Sequence, residues 1–152
     1  MALACWTLSL PGTHSTPAGV AESSDRAKLP DDAKAADRDR QSRRMVLGTW
    51  EDDYQGKRTM TLREDGAGTM IVELSGVKAT LFAARLQFDL TWSLEGGRLR
   101  VRTTGGEPAD KAALILQVMG DSVNHAIVEL DDDRLVLRDD ADKTTYHWRR
   151  VR

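Results

Sequence analysis

Leu86, Phe88, Leu90, Trp92 and Leu94 occupy every second position, with Gln87, Asp89, Thr91 and Ser93 between them. Strict alternation of this kind fits a half-buried strand, because successive strand side chains point to opposite faces. A helix of the same sequence would scatter these residues around its axis. Such a strand needs partners, and the chain from Met45 onward supplies them. Lys57 to Arg63 alternates, with Met60 and Leu62 inward and Thr59, Thr61 and Arg63 outward. Glu64-Asp65-Gly66 is a hairpin signal, since Asp-Gly reaches positive φ at little cost. Gly68 to Leu74 follows, with Met70, Val72 and Leu74 on one face, and a looser connection runs from Ser75 to Ala79.

Beyond the central strand, Glu95-Gly96-Gly97 turns the chain into Arg98 to Thr104. Leu99 and Val101 face in there. Arg98, Arg100 and Arg102 form a solvated face, expected to pair with acids such as Asp89 and Glu73. Thr104 to Lys111 reads as a Gly/Pro loop. Ala112 to Met119 begins like a helix and ends like a strand, and is read as a strand. Ala126 to Leu130, Arg134 to Arg138 and Thr144 to Val151 complete the set, joined by Asp-rich turns. About eight to nine short strands with tight turns and no interior helix define an all-β chain. Consecutive hairpins favour a single antiparallel up-and-down β-barrel over residues 45–152.

The preceding residues read differently. Residues 1–24 combine an apolar start, Met1 to Leu10, with a small and polar linker. The start reads either as the rear of an export signal or as an incidental apolar N-terminus. In the first reading the protein is periplasmic or envelope-associated, and Leu3-Ala4-Cys5 marks Cys5 as a candidate lipid anchor; in the second it is cytoplasmic. Residues 25–44 are alanine-rich and doubly charged. Pro30-Asp31-Asp32 can open a helix there, with Arg43-Arg44 in its last turn as the helix dipole favours. The segment has almost no apolar face, so a frayed helix or tail is expected.

Gly48-Thr49-Trp50, at the head of the first strand, resembles the Gly-x-Trp motif that opens the first barrel strand of lipocalins. The meander from Trp50 to Arg149 is similar to small bacterial lipocalin-like domains. The resemblance implies that Trp50 packs at the closed end of the barrel, with an arginine from near the barrel's end lying across it. Arg149 or Arg150, beside Trp148, is the matching residue, and Arg149 is placed with Gly48 and Trp50 in this structural motif. It also implies an interior that either fills with side chains or holds one small apolar ligand. Met70, Val72, Phe88, Leu90, Trp92 and Tyr146 are the expected interior residues.

No catalytic constellation stands out. A net charge of −2 gives no general attraction to nucleic acid or membrane. No apolar run approaches the ~20 residues that span a bilayer. A single cysteine excludes an internal disulfide. The histidines His14, His125 and His147 lack a metal-binding spacing, and His125 reads as a loop or surface residue. Glu51-Asp52-Asp53 and Asp131-Asp132-Asp133 read as exposed turns, without the spacing of a calcium loop. No metal, cofactor or enzymatic activity is therefore expected. Two readings remain open: a carrier of a small hydrophobic molecule, or a filled-core domain that contacts an envelope protein.

Overall fold

The computed structural model describes residues 29–152. The expected export signal, the anchor at Cys5 and the linker lie outside the described residues. Helix α1 (Leu29–Val46) carries Asp31 and Asp32 in its first turn and Arg43 and Arg44 in its last. Then come β1 (Gly48–Asp52), β2 (Lys57–Leu62), β3 (Ala67–Glu73) and a short helix α2 (Gly76–Leu81). Strands β4 (Arg85–Glu95) and β5 (Arg98–Glu107) lead into α3 (Ala109–Met119). Strands β6 (Ser122–Leu130), β7 (Arg134–Asp139) and β8 (Thr145–Arg150) finish the chain.

The strands join in sequence order, β1 to β8, into a closed antiparallel barrel. The seam is short: Trp50 pairs with Arg150 and Glu51 with Arg149. Registers across the other strands place like faces together. Gly48, Trp50 and Asp52 face Leu62, Met60 and Arg58, and these in turn face Gly68, Met70 and Val72. The alternating strand of the sequence is β4, and its Leu86, Phe88, Leu90 and Trp92 are all buried.

Several expectations fail; one is the loop from Thr104, since β5 runs on to Glu107. Ala112 to Met119 is not a ninth strand but the body of α3. Pro108 before the helix, Asp110 in its first turn and Gly120 at φ 83° after it punctuate the segment as a helix. The β-branched Ile115 and Val118 do not override that punctuation, because β5 already pairs with β6 from Arg98↔Ala126 to Arg102↔Ser122. The connection after β3 is likewise helical, as α2. Helix α3 lies against β4 and β5 through Ala112, which is buried. A Cβ at Gly106 would sit 2.9 Å from the Ala112 Cβ and 2.5 Å from the Gln87 carbonyl oxygen, so only glycine lets the helix approach.

Helix α1 departs from expectation as well. Its outer turns are exposed, as its charged sequence dictates, but its last turn closes one end of the barrel. Val46 is fully buried and continues the helix, where the sequence had read the start of the sheet. Arg43 stacks on the Trp92 ring with Cζ 4.5 Å from its centroid. Asp39 accepts hydrogen bonds from the amides of Gly96 and Gly97 at 2.7 and 3.1 Å, fastening the helix to the β4–β5 turn.

Candidate functional site

The interior has two tiers. Beside α1 it is apolar. Trp50 is fully buried and donates its Nε1–H to the Val46 carbonyl at 2.8 Å. Arg150 lies over the Trp50 ring, Cζ 4.1 Å from its centroid, and donates to the carbonyls of Leu47 and Met45 at 2.7 and 2.6 Å. A cation–π contact of this kind contributes roughly 0.5–2 kcal/mol. Gly48 sits at φ 117°, and a Cβ there would stand 2.8 Å from Arg150 Nη1. The arginine across Trp50 is therefore Arg150 and not Arg149. Strand alternation sets this: residue 150 shares the inward face with its partner Trp50, while Arg149 faces out with Glu51 and reaches Glu51 and Asp53 at 3.9 and 3.6 Å.

The six expected interior residues do face inward. Phe88, Leu90 and Trp92 are buried, and Met70, Val72 and Tyr146 are half-buried against them. They pack with Trp50, Met60 and Leu62 into one continuous core. Two depressions of about 390 and 530 Å³ lie elsewhere: along Ser93, Arg100 and Asn124, and along Gln87, Glu107 and Pro108. Of the six, Trp92 alone touches either of them.

The second tier lies at the far end of β1 and β2, and it is polar. Asp52, 4 % exposed, and Arg58 are cross-strand partners on the inward face. Arg58 Nε donates to Asp52 Oδ1 at 2.7 Å, and its Nη2 donates to Asp52 Oδ2. Asp52 Oδ1 also accepts the Tyr54 amide at 3.0 Å. The guanidinium is boxed by three rings, with Cζ 5.1, 4.8 and 4.9 Å from the centroids of Tyr54, Tyr146 and Trp148. Tyr54 stands edge-on to Tyr146 at 5.0 Å and is 41 % exposed, so its ring forms the solvent side of the box. His125 meets Tyr146 edge-on at 5.7 Å.

His125 belongs to this interior, not to a surface loop. It pairs across the sheet with Asp139, and its Nε2 stands 3.6 Å from Asp139 Oδ2. That separation is longer than a hydrogen bond. Burial pushes the His125 pKa down, and Arg58 adds to this, against the opposing pull of Asp139, Asp140 and Asp142. The imidazole is thus neutral at pH 7. Burial also raises the Tyr146 pKa, which keeps the phenol protonated.

Buried polar groups in folded proteins almost always have a partner. Among the described residues two buried side-chain atoms have none, His125 Nδ1 and Trp148 Nε1. Both residues line the tier around Arg58. The indole N–H of Trp148 is an unused donor. Among the described residues no cluster of three or more His, Cys, Asp or Glu side chains could hold a metal ion.

No protein-family model matches the sequence, and no curated protein matches it. Among solved structures, a lipocalin-like protein from Bacteroides uniformis superimposes with a TM-score of 0.50 at 13 % identity, covering 70 % of this chain and 98 % of that one. The fold is lipocalin-like. An uncharacterized protein from Bacteroides eggerthii is similar at 14 % identity and a TM-score of 0.45, over 69 % of this chain and 98 % of that one. The Gly48-Thr49-Trp50 motif thus stands at the closed end of a lipocalin-like barrel, under α1 and Arg150.

The polar tier was missed in the sequence, although a signal for it is there. Asp52 shares strand parity with Trp50, and Arg58 shares it with Met60 and Leu62. Opposite charges on the inward parity of neighbouring strands identify a buried ion pair. Reading Glu51-Asp52-Asp53 as an exposed turn hides Asp52, and His125 stands just outside the strand expected from Ala126. The arginine face also pairs differently. Arg98 meets Asp140 and Arg102 meets Asp121, and neither of these is the expected Asp89 of β4 or Glu73 of β3.

Proposed function

We propose that this chain is a non-enzymatic binding barrel that takes a small amphipathic molecule at the end away from α1. Its polar group enters the Arg58 tier and its apolar part lies against the rim. The observation that carries this reading is the pair of unpartnered buried atoms, His125 Nδ1 and Trp148 Nε1, on residues that flank Tyr146 and Arg58. The rim offers apolar surface: Val77 and Leu81 on α2, and Leu114, Val118 and Met119 on α3, are all exposed. Tyr54, on the tight turn between β1 and β2, is the side chain that would swing aside. The absence of a hydroxyl or thiol against His125 Nδ1 speaks for binding over nucleophilic catalysis. The apolar first ten residues support an exported, envelope-associated setting.

Native mass spectrometry of the protein purified from its host tests the reading. A reproducible added mass that organic extraction removes is expected. A bare mass, with no change in tryptophan fluorescence across a panel of apolar and amphipathic compounds, would instead favour a filled-core interaction domain. That second reading draws on the continuous packing of the apolar tier and on the same exposed residues of α2 and α3.

A site kept for binding has a measurable cost in stability. The folded His125 pKa lies below the ordinary value near 6.5, so the unfolded chain binds more protons between the two values. The contribution of His125 to stability is complete above about pH 6.5 and falls as the pH drops towards the folded value. His125→Leu is expected to remove this acid-side loss. At pH 7.5 it should leave stability unchanged or raise it by about 1 kcal/mol, because an unpartnered polar group is replaced by an apolar one. Urea unfolding of both proteins at pH 7.5 and 5.5 checks this. A drop of several kcal/mol at pH 7.5 would make His125 a structural residue.

A further inference from the structure

We propose that the outer wall of the barrel carries a separate site, centred on Arg100, that takes the phosphate or sulfate group of a small polar molecule. It lies on the solvent face of β4, β5 and β6 and does not depend on the guest proposed for the interior.

Strand register builds the site. Arg100 stands between Ser93 of β4 and Asn124 of β6, and Arg102 stands between Thr91 and Ser122. All six are exposed. Neighbouring strands lie about 4.8 Å apart, so each row of three spans roughly 10 Å. Long arginines rising among short side chains leave a depression of about 390 Å³, which these residues line. Arg102 Nε donates to Asp121 at 3.1 Å and Ser122 Oγ donates to it at 2.8 Å, whereas among the described residues the side chains of Thr91, Ser93, Arg100 and Asn124 have no hydrogen-bond partner.

Arg100 also lacks a carboxylate. Its cross-strand partners are uncharged, and the acids of this face are engaged elsewhere, Asp140 with Arg98 and Asp121 with Arg102. Glu95 stands opposite Arg98. Asp89 leans towards Gly105, with Oδ2 4.0 Å from where a Cβ there would stand. Arg138 sits beside Ala126, Lys143 donates to the Asp140 carbonyl, and Asp142 accepts the Thr144 amide. Arg98, Arg102, Arg138 and Lys143 thus balance Glu95, Asp121, Asp140 and Asp142, and Arg100 is the charge left over. A guanidinium binds an oxyanion through two parallel N–H bonds, which satisfy a planar carboxylate by themselves. A phosphate or sulfate has further oxygens, and Ser93 and Asn124 stand on either side of Arg100 to donate to them. The surrounding side chains are polar, so the rest of the molecule is polar too, and a depression of this size admits a body as small as one sugar. Exposure makes the binding weak, on the order of millimolar, and weaker as salt rises.

Amide chemical shifts of the full chain, followed by NMR at pH 7.5 and constant ionic strength, test this with inorganic phosphate, inorganic sulfate, glucose 6-phosphate and acetate. Saturable shifts at Ser93, Arg100 and Asn124 are expected with the first three and not with acetate. Arg100→Gln is expected to weaken binding about tenfold, the loss of a charge-assisted pair of bonds, and Asn124→Ala several-fold. Arg138→Gln, outside the depression, should leave the affinity nearly unchanged. Glucose 6-phosphate binding more tightly than phosphate would support the site and make its occupant a phosphorylated small molecule; equal affinities would support it with the free anion as occupant. Shifts that fail to saturate, or acetate binding as tightly as phosphate, would overturn the site. Equal losses in Arg100→Gln and Arg138→Gln would also overturn it, by reducing the effect to diffuse charge attraction.

Discussion

Replacing Trp50 by alanine is expected to destabilise the barrel by about 3–5 kcal/mol, the range for a large aromatic removed from a packed core. The indole is fully buried, and three separate structures meet on it. Its Nε1–H holds the Val46 carbonyl at the end of α1, its ring carries Arg150, and its backbone forms the β1–β8 seam. Truncation leaves a cavity, an unpaired helix carbonyl and a guanidinium without its platform. Trp50→Phe keeps the platform and loses the hydrogen bond, and should cost about 1–2 kcal/mol. Urea unfolding followed by circular dichroism gives both values, and limited proteolysis of α1 reports whether the closed end has opened. A Trp50→Ala loss below about 1.5 kcal/mol, with α1 still protected, would show that the helix is held by other contacts.

The second large effect is expected at the far end. Asp52→Ala leaves Arg58 charged among Tyr54, Tyr146 and Trp148 with its carboxylate removed. Losing one partner of a buried ion pair typically costs about 3–5 kcal/mol, because the remaining charge stays desolvated. Arg58 is 17 % exposed at its side chain, which allows some relief by water and places the expectation at the lower end. The double replacement Asp52→Leu with Arg58→Met removes both charges and should recover most of the loss. Denaturant curves for the two single variants and the double variant give the coupling. A neutral Asp52→Ala would mean that the pair contributes nothing to the fold, and that the three rings alone hold Arg58.

These two residues also show where the sequence was readable and where it was not. The hairpins were legible because their signals are local: Asp65-Gly66 between β2 and β3, and Gly96-Gly97, both at positive φ, between β4 and β5. Period-two alternation then assigned Met70, Val72, Phe88, Leu90, Trp92 and Tyr146 to the interior, where they lie. Helix α3 was not legible, because Ile115 and Val118 match a strand. What decides against a strand is the distant pairing of β5 with β6, which no local window contains. Arg150 was readable in principle: if Trp148 faces in, so does residue 150, and Arg149 cannot. Of the polar tier, alternation places Tyr146 in the interior, with Trp148 on the same strand face. Asp52, Arg58 and His125 were hidden by the expectation that charged and titratable residues face water, which is true of most of them but fails where they pair.

The Arg150 clasp has a consequence for synthesis. Its guanidinium binds the Met45 and Leu47 carbonyls, more than a hundred positions earlier in the chain. Every other strand can pair with its predecessor as it leaves the ribosome, but the ring cannot shut until β8 has emerged. Until then β1 waits with an open edge, and an open edge invites pairing with another nascent chain. Helix α1, which precedes β1 and ends beside that edge, gains its fastenings only when Trp92 and the Gly96-Gly97 turn have followed it out.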